Sequence, residues 1–163
     1  MKTLLVLIVL GIAGYYGYQH FATDDEDAPD VIETPVYADV RLDMQIAGRD
    51  LQFALFGRMA SQEDCEKRSN TIWGKVIEGC QECVQRTATC NAKLEPRYDR
   101  LFANTAIHST YLSFTRGSPQ ERDGRMVIFG LTADEGDAVC AQILQRFSSN
   151  FTGKIECIKA RRD

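Results

Sequence analysis

Apolar and polar residues first fall into a clear pattern between Asp39 and Leu55. Val40, Leu42, Met44 and Ile46 are separated by Arg41, Asp43 and Gln45, the period of two expected of a strand with one buried face. Ala47-Gly48-Arg49-Asp50 supplies a turn, and Leu51, Phe53 and Leu55 resume the alternation. The period changes at Ser61, where a hydroxyl followed three residues later by Asp64 approximates a capping box. Cys65, Ser69, Ile72, Trp73, Val76, Ile77 and Cys80 then recur at three-to-four spacing, which predicts a helix over 62–79 with one apolar stripe. From Gly79 to about Ile107 no period is evident. That stretch holds Cys80, Cys83 and Cys90, with Pro96 opening a short helix through Phe102, and is expected to be a cysteine-rich insert. Strands return at 110–115 and 126–131, divided by a loop in which Asp123-Gly124 is the turn chemistry. Thr132-Ala133-Asp134-Glu135 is a full capping box, and Val139, Cys140, Ile143, Leu144 and Phe147 form the stripe of a second long helix. Lys154 to Ala160 alternates as a last strand.

The segment from Phe53 to Cys80 returns in diluted form at Met126 to Phe147, with Leu55-Phe56-Gly57 answered by Ile128-Phe129-Gly130. From Leu51 onward the order is strand, helix, insert, strand, strand, helix, strand. This is the pattern of a ferredoxin-like split βαβ domain in the α+β class, an antiparallel sheet with two helices on one face. It carries an extra N-terminal strand and a Cys-rich insert after helix 1. The first strand of such a domain is central, so the strand at 39–46 cannot pair beside it without displacing another.

The N-terminus adds a compartment. Residues 3–21 form an apolar run after Lys2, with Tyr15, Tyr16 and Tyr18 near its far end. As a helix at ~1.5 Å per residue it just reaches the ~30 Å of a bilayer's hydrocarbon. Residues 1–21 are therefore expected to be a transmembrane signal-anchor, the alternative being a cleaved signal peptide ending near Gly11-Ile12-Ala13. Residues 22–37 hold Asp24, Asp25, Glu26, Asp27, Asp30 and Glu33 with no Lys or Arg, an acidic tether. Residues 38–163 then form one domain in the periplasm or its equivalent, held by a single span to the inner (plasma) membrane. The net charge of −4 comes from 19 basic and 23 acidic residues. With Lys2 and those six acids set aside, 18 basic face 17 acidic residues, which leaves no basic footprint for nucleic acid.

Six cysteines in an exported domain of this size read as three disulfides. Cys140 on its helix stripe and Cys157 on the last strand face each other if that strand's Ile155 side meets the helices. Cys65 and Cys80 stand ~22 Å apart along one helix and cannot pair with each other; a returning extended segment that brings Cys90 to Cys65 leaves Cys80 for Cys83, and these are the expected pairs. The Cys80-Gln81-Glu82-Cys83 motif invites a thiol–disulfide exchange reading. However, it follows a helix C-terminus beside Glu78 and Glu82, where thiolates are disfavoured. A zinc site from Cys65, Cys80, Cys83 and Cys90 is weighed against the same oxidising compartment, and no metal or cofactor is expected. His108 is the one histidine outside the apolar run, and no nucleophile or phosphate-loop motif accompanies it. A non-enzyme is expected.

A sheet with two helices on one face leaves the other face to be accounted for. Phe56, Tyr111 and Phe129 point to it if Leu51, Phe53, Leu55, Leu112 and Phe114 face the helices. Open, these aromatics would stack on a flat ligand; covered by the 39–46 strand or the insert, they become a second core. The layout alone is similar to that of the SPOR module, a small ferredoxin-like domain, and that resemblance implies peptidoglycan as a glycan ligand. The expectation is a non-catalytic binding or assembly module whose partner is an envelope protein. Glycan recognition through the open sheet face is one alternative, and thiol–disulfide exchange through Cys80 and Cys83 is the other.

Overall fold

The computed structural model describes residues 31–78, 80–149 and 151–162. Its elements are β1 (Val36–Ile46), β2 (Arg49–Met59), α1 (Gln62–Ile72), β3 (Cys83–Asn91), α2 (Pro96–Phe102), β4 (Tyr111–Thr115), β5 (Asp123–Phe129), α3 (Ala133–Phe147) and β6 (Lys154–Ile158). They make an α+β fold with one open antiparallel sheet in the order β3-β1-β2-β5-β4-β6. The predicted anchor and most of the predicted tether, residues 1–30, lie outside the described residues. Among the described residues no helix is long and apolar enough to cross a membrane.

The strand order departs from the ferredoxin-like expectation. That topology would seat the last strand beside β2, but β1 occupies the place and β6 pairs with β4 at the far edge. The reason is the turn after β1. Ala47 and Gly48 both take positive φ, 52° and 78°, as in two-residue hairpin loops whose twist matches the strands they join. The turn holds β1 against β2 along the whole length of both strands. A second difference lies in the expected insert, much of which is β3, a regular strand paired to β1.

With β3 in place, the chain divides into two similar units. In β1-β2-α1-β3 and in β4-β5-α3-β6, a hairpin is followed by a helix and by a third strand that pairs with the hairpin's first strand. The units meet through β2 and β5. Both long helices lie on one face, over a core built from Val40, Leu42, Phe53, Leu55, Leu112, Met126, Ile128, Ile143 and Phe147. In each unit a disulfide ties helix to third strand, Cys65–Cys90 in the first and Cys140–Cys157 in the second. The bridges are one helical turn out of step, since Cys65 is four residues past its N-cap Ser61 and Cys140 eight past Thr132. Ser69, at the turn corresponding to Cys140, sits 3.9 Å from the Cys65 sulfur and 3.7 Å from that of Cys90. The third bridge, Cys80–Cys83, is local, and no cysteine is free among the described residues. All three pairs are those expected from the sequence.

α1 also departs from its predicted form. It passes at Trp73 into a π-helical turn, Trp73–Ile77, in which the Glu78 amide donates to the Trp73 carbonyl at 2.9 Å. The wider turn buries Ile72 and Ile77, five residues apart, and leaves Trp73 38% exposed instead of on the buried stripe.

The first turn of α1 is joined to the β4–β5 loop by buried charge. Asp64 accepts from the Ala60 amide at 2.8 Å, from Arg68 Nε at 2.6 Å and from Arg122 Nε at 2.7 Å, and all three side chains are buried. Arg122 Nη1 donates in turn to the Glu121 carbonyl at 2.8 Å, and Arg68 Nη2 to the Gln120 carbonyl at 3.1 Å. Glu121, also buried, accepts from the amides of Gly117, Thr152 and Gly153. Burial pushes the Asp64 carboxyl upward. The hydrogen bonds from Arg122, Ala60 and Arg68 outweigh it and hold the group below the usual carboxylate range.

Two outcomes follow for stability. In the chain-entropy view of loop closure, replacing Cys140 and Cys157 by Ser costs about 3 kcal/mol, Cys65 and Cys90 about 3.5, and Cys80 and Cys83 about 2. Urea unfolding of the three double variants measures this ranking. For Asp64, a folded pKa below the unfolded one means a contribution that is complete above the ordinary carboxylate range and lost as pH falls through the folded value. Asp64→Asn, which leaves two buried guanidinium groups without their carboxylate, costs about 3–5 kcal/mol at neutral pH. Urea midpoints followed from neutral to acid pH show the wild type losing stability more steeply than the variant.

Candidate functional site

The second face of the sheet divides into an apolar half and a polar half, which follows from reading its cross-strand rows. One row runs Thr89, Asp39, Phe56, Arg125, Ser113, Glu156; the next runs Thr87, Arg41, Ala54, Val127, Tyr111, Ile158; a third runs Gln85, Asp43, Gln52, Phe129. Polar side chains occupy β3 and β1, and apolar ones dominate from β2 to β4.

α2 lies over the apolar half. Glu95 and Pro96 start it, with Pro at the first helical position where its missing N–H costs nothing. Tyr98 stacks on Phe56 with ring centroids 4.6 Å apart, and Tyr98, Leu101, Phe56, Tyr111, Ala54 and Val127 make a second core. Arg125 is buried beneath the end of α2 and donates from Nε to the Leu101 carbonyl at 2.8 Å and from Nη2 to the Phe102 carbonyl at 3.3 Å. Those carbonyls close the C-terminal end of α2, where Leu101 also accepts from the Asn104 amide at 3.0 Å, so the guanidinium fastens α2 by its C-terminus. Burial lowers the pKa of Arg125 from its ordinary value, although Asp123 and Tyr111 oppose the shift. The Tyr111 hydroxyl donates to the Thr105 carbonyl at 3.0 Å, and burial raises its pKa.

α2 belongs to the stretch expected as the insert, and of the two readings of this face it is the covered one that is seen. Phe56, Tyr111 and Phe129 do share the face opposite the long helices, but Phe56 and Tyr111 are fully buried under α2 and offer no stacking surface. Phe129 is half-buried beside Gln52 and packs 6.4 Å from Tyr98. Seven helical residues suffice to cover the aromatics, but not the whole face.

The uncovered half is a groove of about 490 Å³. Gln85, Thr87, Thr89 and Asn91 of β3 form one side, Asp39, Arg41 and Asp43 of β1 the floor, and Gln52 of β2 the other side. Lys93, Leu94 and Glu95, the approach to α2, close one end. Arg41 is the hinge between groove and second core. It grips Asp39 through two bonds, Nε at 2.8 Å and Nη2 at 2.6 Å, and reaches the Tyr98 hydroxyl and the Glu95 carboxylate, both at 3.3 Å. Its guanidinium carbon sits 4.7 Å over the Tyr98 ring. The bond to Asp39 raises the Arg41 pKa against the opposing effect of burial. Gln52 donates to Asp43 at 2.6 Å, and Asn91 to the Thr89 hydroxyl at 2.9 Å. Hydroxyls, amides, carboxylates and the cations of Arg41 and Lys93 thus line one groove, a donor and acceptor set suited to a hydroxyl- and amide-rich ligand.

None of these groove residues stands out in the sequence. Asp39, Arg41 and Asp43 read there as the solvated side of β1. Gln85-x-Thr87-x-Thr89-x-Asn91 is a period-two pattern of polar residues, and it is the signal that marks both the strand and the site.

The other candidate chemistry is placed elsewhere. Cys65, Cys80, Cys83 and Cys90 are paired as disulfides, and among the described residues no group of three His, Cys, Asp or Glu is arranged to hold a metal ion. The Cys80–Cys83 bridge lies between the π-helical turn and β3, where Arg86 donates to the Cys80 and Glu78 carbonyls. His108 is exposed and outside the groove.

No protein-family model, no curated protein and no solved structure matches the chain.

Proposed function

We propose that the chain is a membrane-anchored, extracytoplasmic binding module that performs no catalysis and engages a component of the cell envelope through the polar groove on β3, β1 and β2. The observation that carries this reading is the uncovered half of the second sheet face, a flat floor of hydrogen-bonding side chains next to a half sealed by α2. Three disulfides in one small domain support the oxidising compartment. The apolar N-terminal run supports the anchor.

The groove favours a glycan over an apolar protein surface as its ligand. A protein interface has an apolar centre with aromatic anchors. Here the large aromatic side chains Phe56 and Tyr111 are under α2, and the groove is lined by Thr, Gln, Asn, Asp, Glu, Arg and Lys, with Leu94 at one end. Recognition would rest on hydrogen bonds to hydroxyl and acetamido groups, without ring stacking on Phe56 or Tyr111.

Sedimentation of the purified chain with peptidoglycan sacculi tests the reading. The wild type co-sediments. Asp43→Ala at a half-buried position and Asn91→Ala at an exposed one, each with the three native disulfides confirmed by mapping, weaken binding about tenfold, as expected for the loss of one hydrogen bond to a charged or amide group. A wild-type chain that stays in the supernatant, or variants that bind equally well, would remove the glycan assignment.

A further inference from the structure

β3 ends the sheet on one side. It pairs with β1 from Cys83 to Asn91, and its outer edge meets no described strand. An open edge is a template for another strand, and proteins that remain single guard it with charge, proline or shortness. β6 at the opposite edge is guarded in this way, being five residues long with Lys154 and Glu156 and followed by Lys159. β3 is nine residues long, without proline, and uncharged from Thr87 to Asn91. Its one ionisable side chain outside the disulfides, Arg86, is bonded to the Glu78 and Cys80 carbonyls.

The strand is also close to its own mirror in chemical type about Ala88. Gln85 and Thr87 precede it on the groove face; Thr89 and Asn91 follow on the same face. An identical strand laid antiparallel and centred on Ala88 sets Thr87 opposite Thr89 twice and Gln85 opposite Asn91 twice. Hydroxyl–hydroxyl and amide–amide pairs are cross-strand combinations that bond to each other. Arg86 falls opposite Cys90, so no like charges meet. Val84, 78% exposed, falls opposite Ala92 of the second copy.

The geometry points to a symmetric homodimer formed by antiparallel pairing of β3 with β3 of a second copy. Two six-stranded sheets become one of twelve strands, and the interface is self-complementary, as a two-fold axis requires. Because that axis is normal to the sheet, both grooves open on the same side and run together across the seam. The inference stands apart from the identity of the groove's ligand.

Light scattering of the full chain in detergent micelles, with the protein mass resolved from the detergent, tests it. The wild type gives twice the 18.3 kDa of one chain. Thr87→Lys with Thr89→Lys places lysine opposite lysine at two positions and gives the single-chain mass, with a dissociation constant raised about tenfold or more. Thr87→Glu with Thr89→Glu does the same, and an equal mixture of the two variants regains the doubled mass. Disulfide mapping that finds all three native pairs in each variant shows them folded. A wild type that is single at its highest soluble concentration overturns the proposal. So does a lysine variant that stays paired, or a mixture that does not recover.

Discussion

A sheet has two faces, and the described residues have two long helices, both on the same one. Every other arrangement follows from that imbalance. The unhelped face must either be polar enough for water or find other cover, and the chain does both. α2, seven residues long, seals Phe56, Tyr111, Ala54 and Val127, while β3 and β1 turn Thr, Gln, Asn and Asp outward. The boundary falls at Arg41, whose guanidinium belongs to both sides, paired to Asp39 in the groove and laid over Tyr98 at the edge of the second core. Arg125 does the complementary work from below, holding α2 by its terminal carbonyls. Side-chain packing and hydrogen bonds, with no covalent link, keep the cover in place.

Covalent bracing is used instead on the other face, where each long helix is bridged to the third strand of its unit. Those strands are β3 and β6, the two edges of the sheet, each with one neighbour among the described strands. An edge strand has half the ladder of a central one and is the first to fray. The bridges therefore fall where backbone pairing is thinnest. The one-turn offset between them, with Ser69 beside the first bridge where the second has its cysteine, shows the same solution reached at two heights on equivalent helices.

Much of the fold was legible in the residues themselves. Alternation marked β1 and β2, the Thr132–Glu135 box marked the start of α3, Pro96 marked α2, and helix stripe plus strand parity paired Cys140 with Cys157. Strand order was not legible, because it is decided by a two-residue turn with positive φ at a non-glycine, Ala47, which propensity does not announce. β3 was hidden because the face opposite its polar row mixes Val84, Arg86, Ala88 and Cys90, so its period carries little hydropathic contrast. That omission also concealed the ββαβ repeat, of which only the strand–helix portion was visible. Trp73 misled because a π turn rotates the stripe it continues. The groove was obscured for a related reason: Asp39, Arg41 and Asp43 are what any half-solvated strand would show, and only β3 beside them makes the polar row a floor.

The position of β1 has a mechanical meaning. The chain enters the domain at Val36, and from there β1 runs between β2 and β3, bonded to a neighbour on each side for most of its length. A force drawn through the N-terminal segment therefore acts along a strand gripped from both flanks. Two ladders would have to shear together, instead of a single edge peeling one bond at a time. A domain suspended from its leading end would in this way carry load through its most strongly held strand, with the groove floor riding on that same strand.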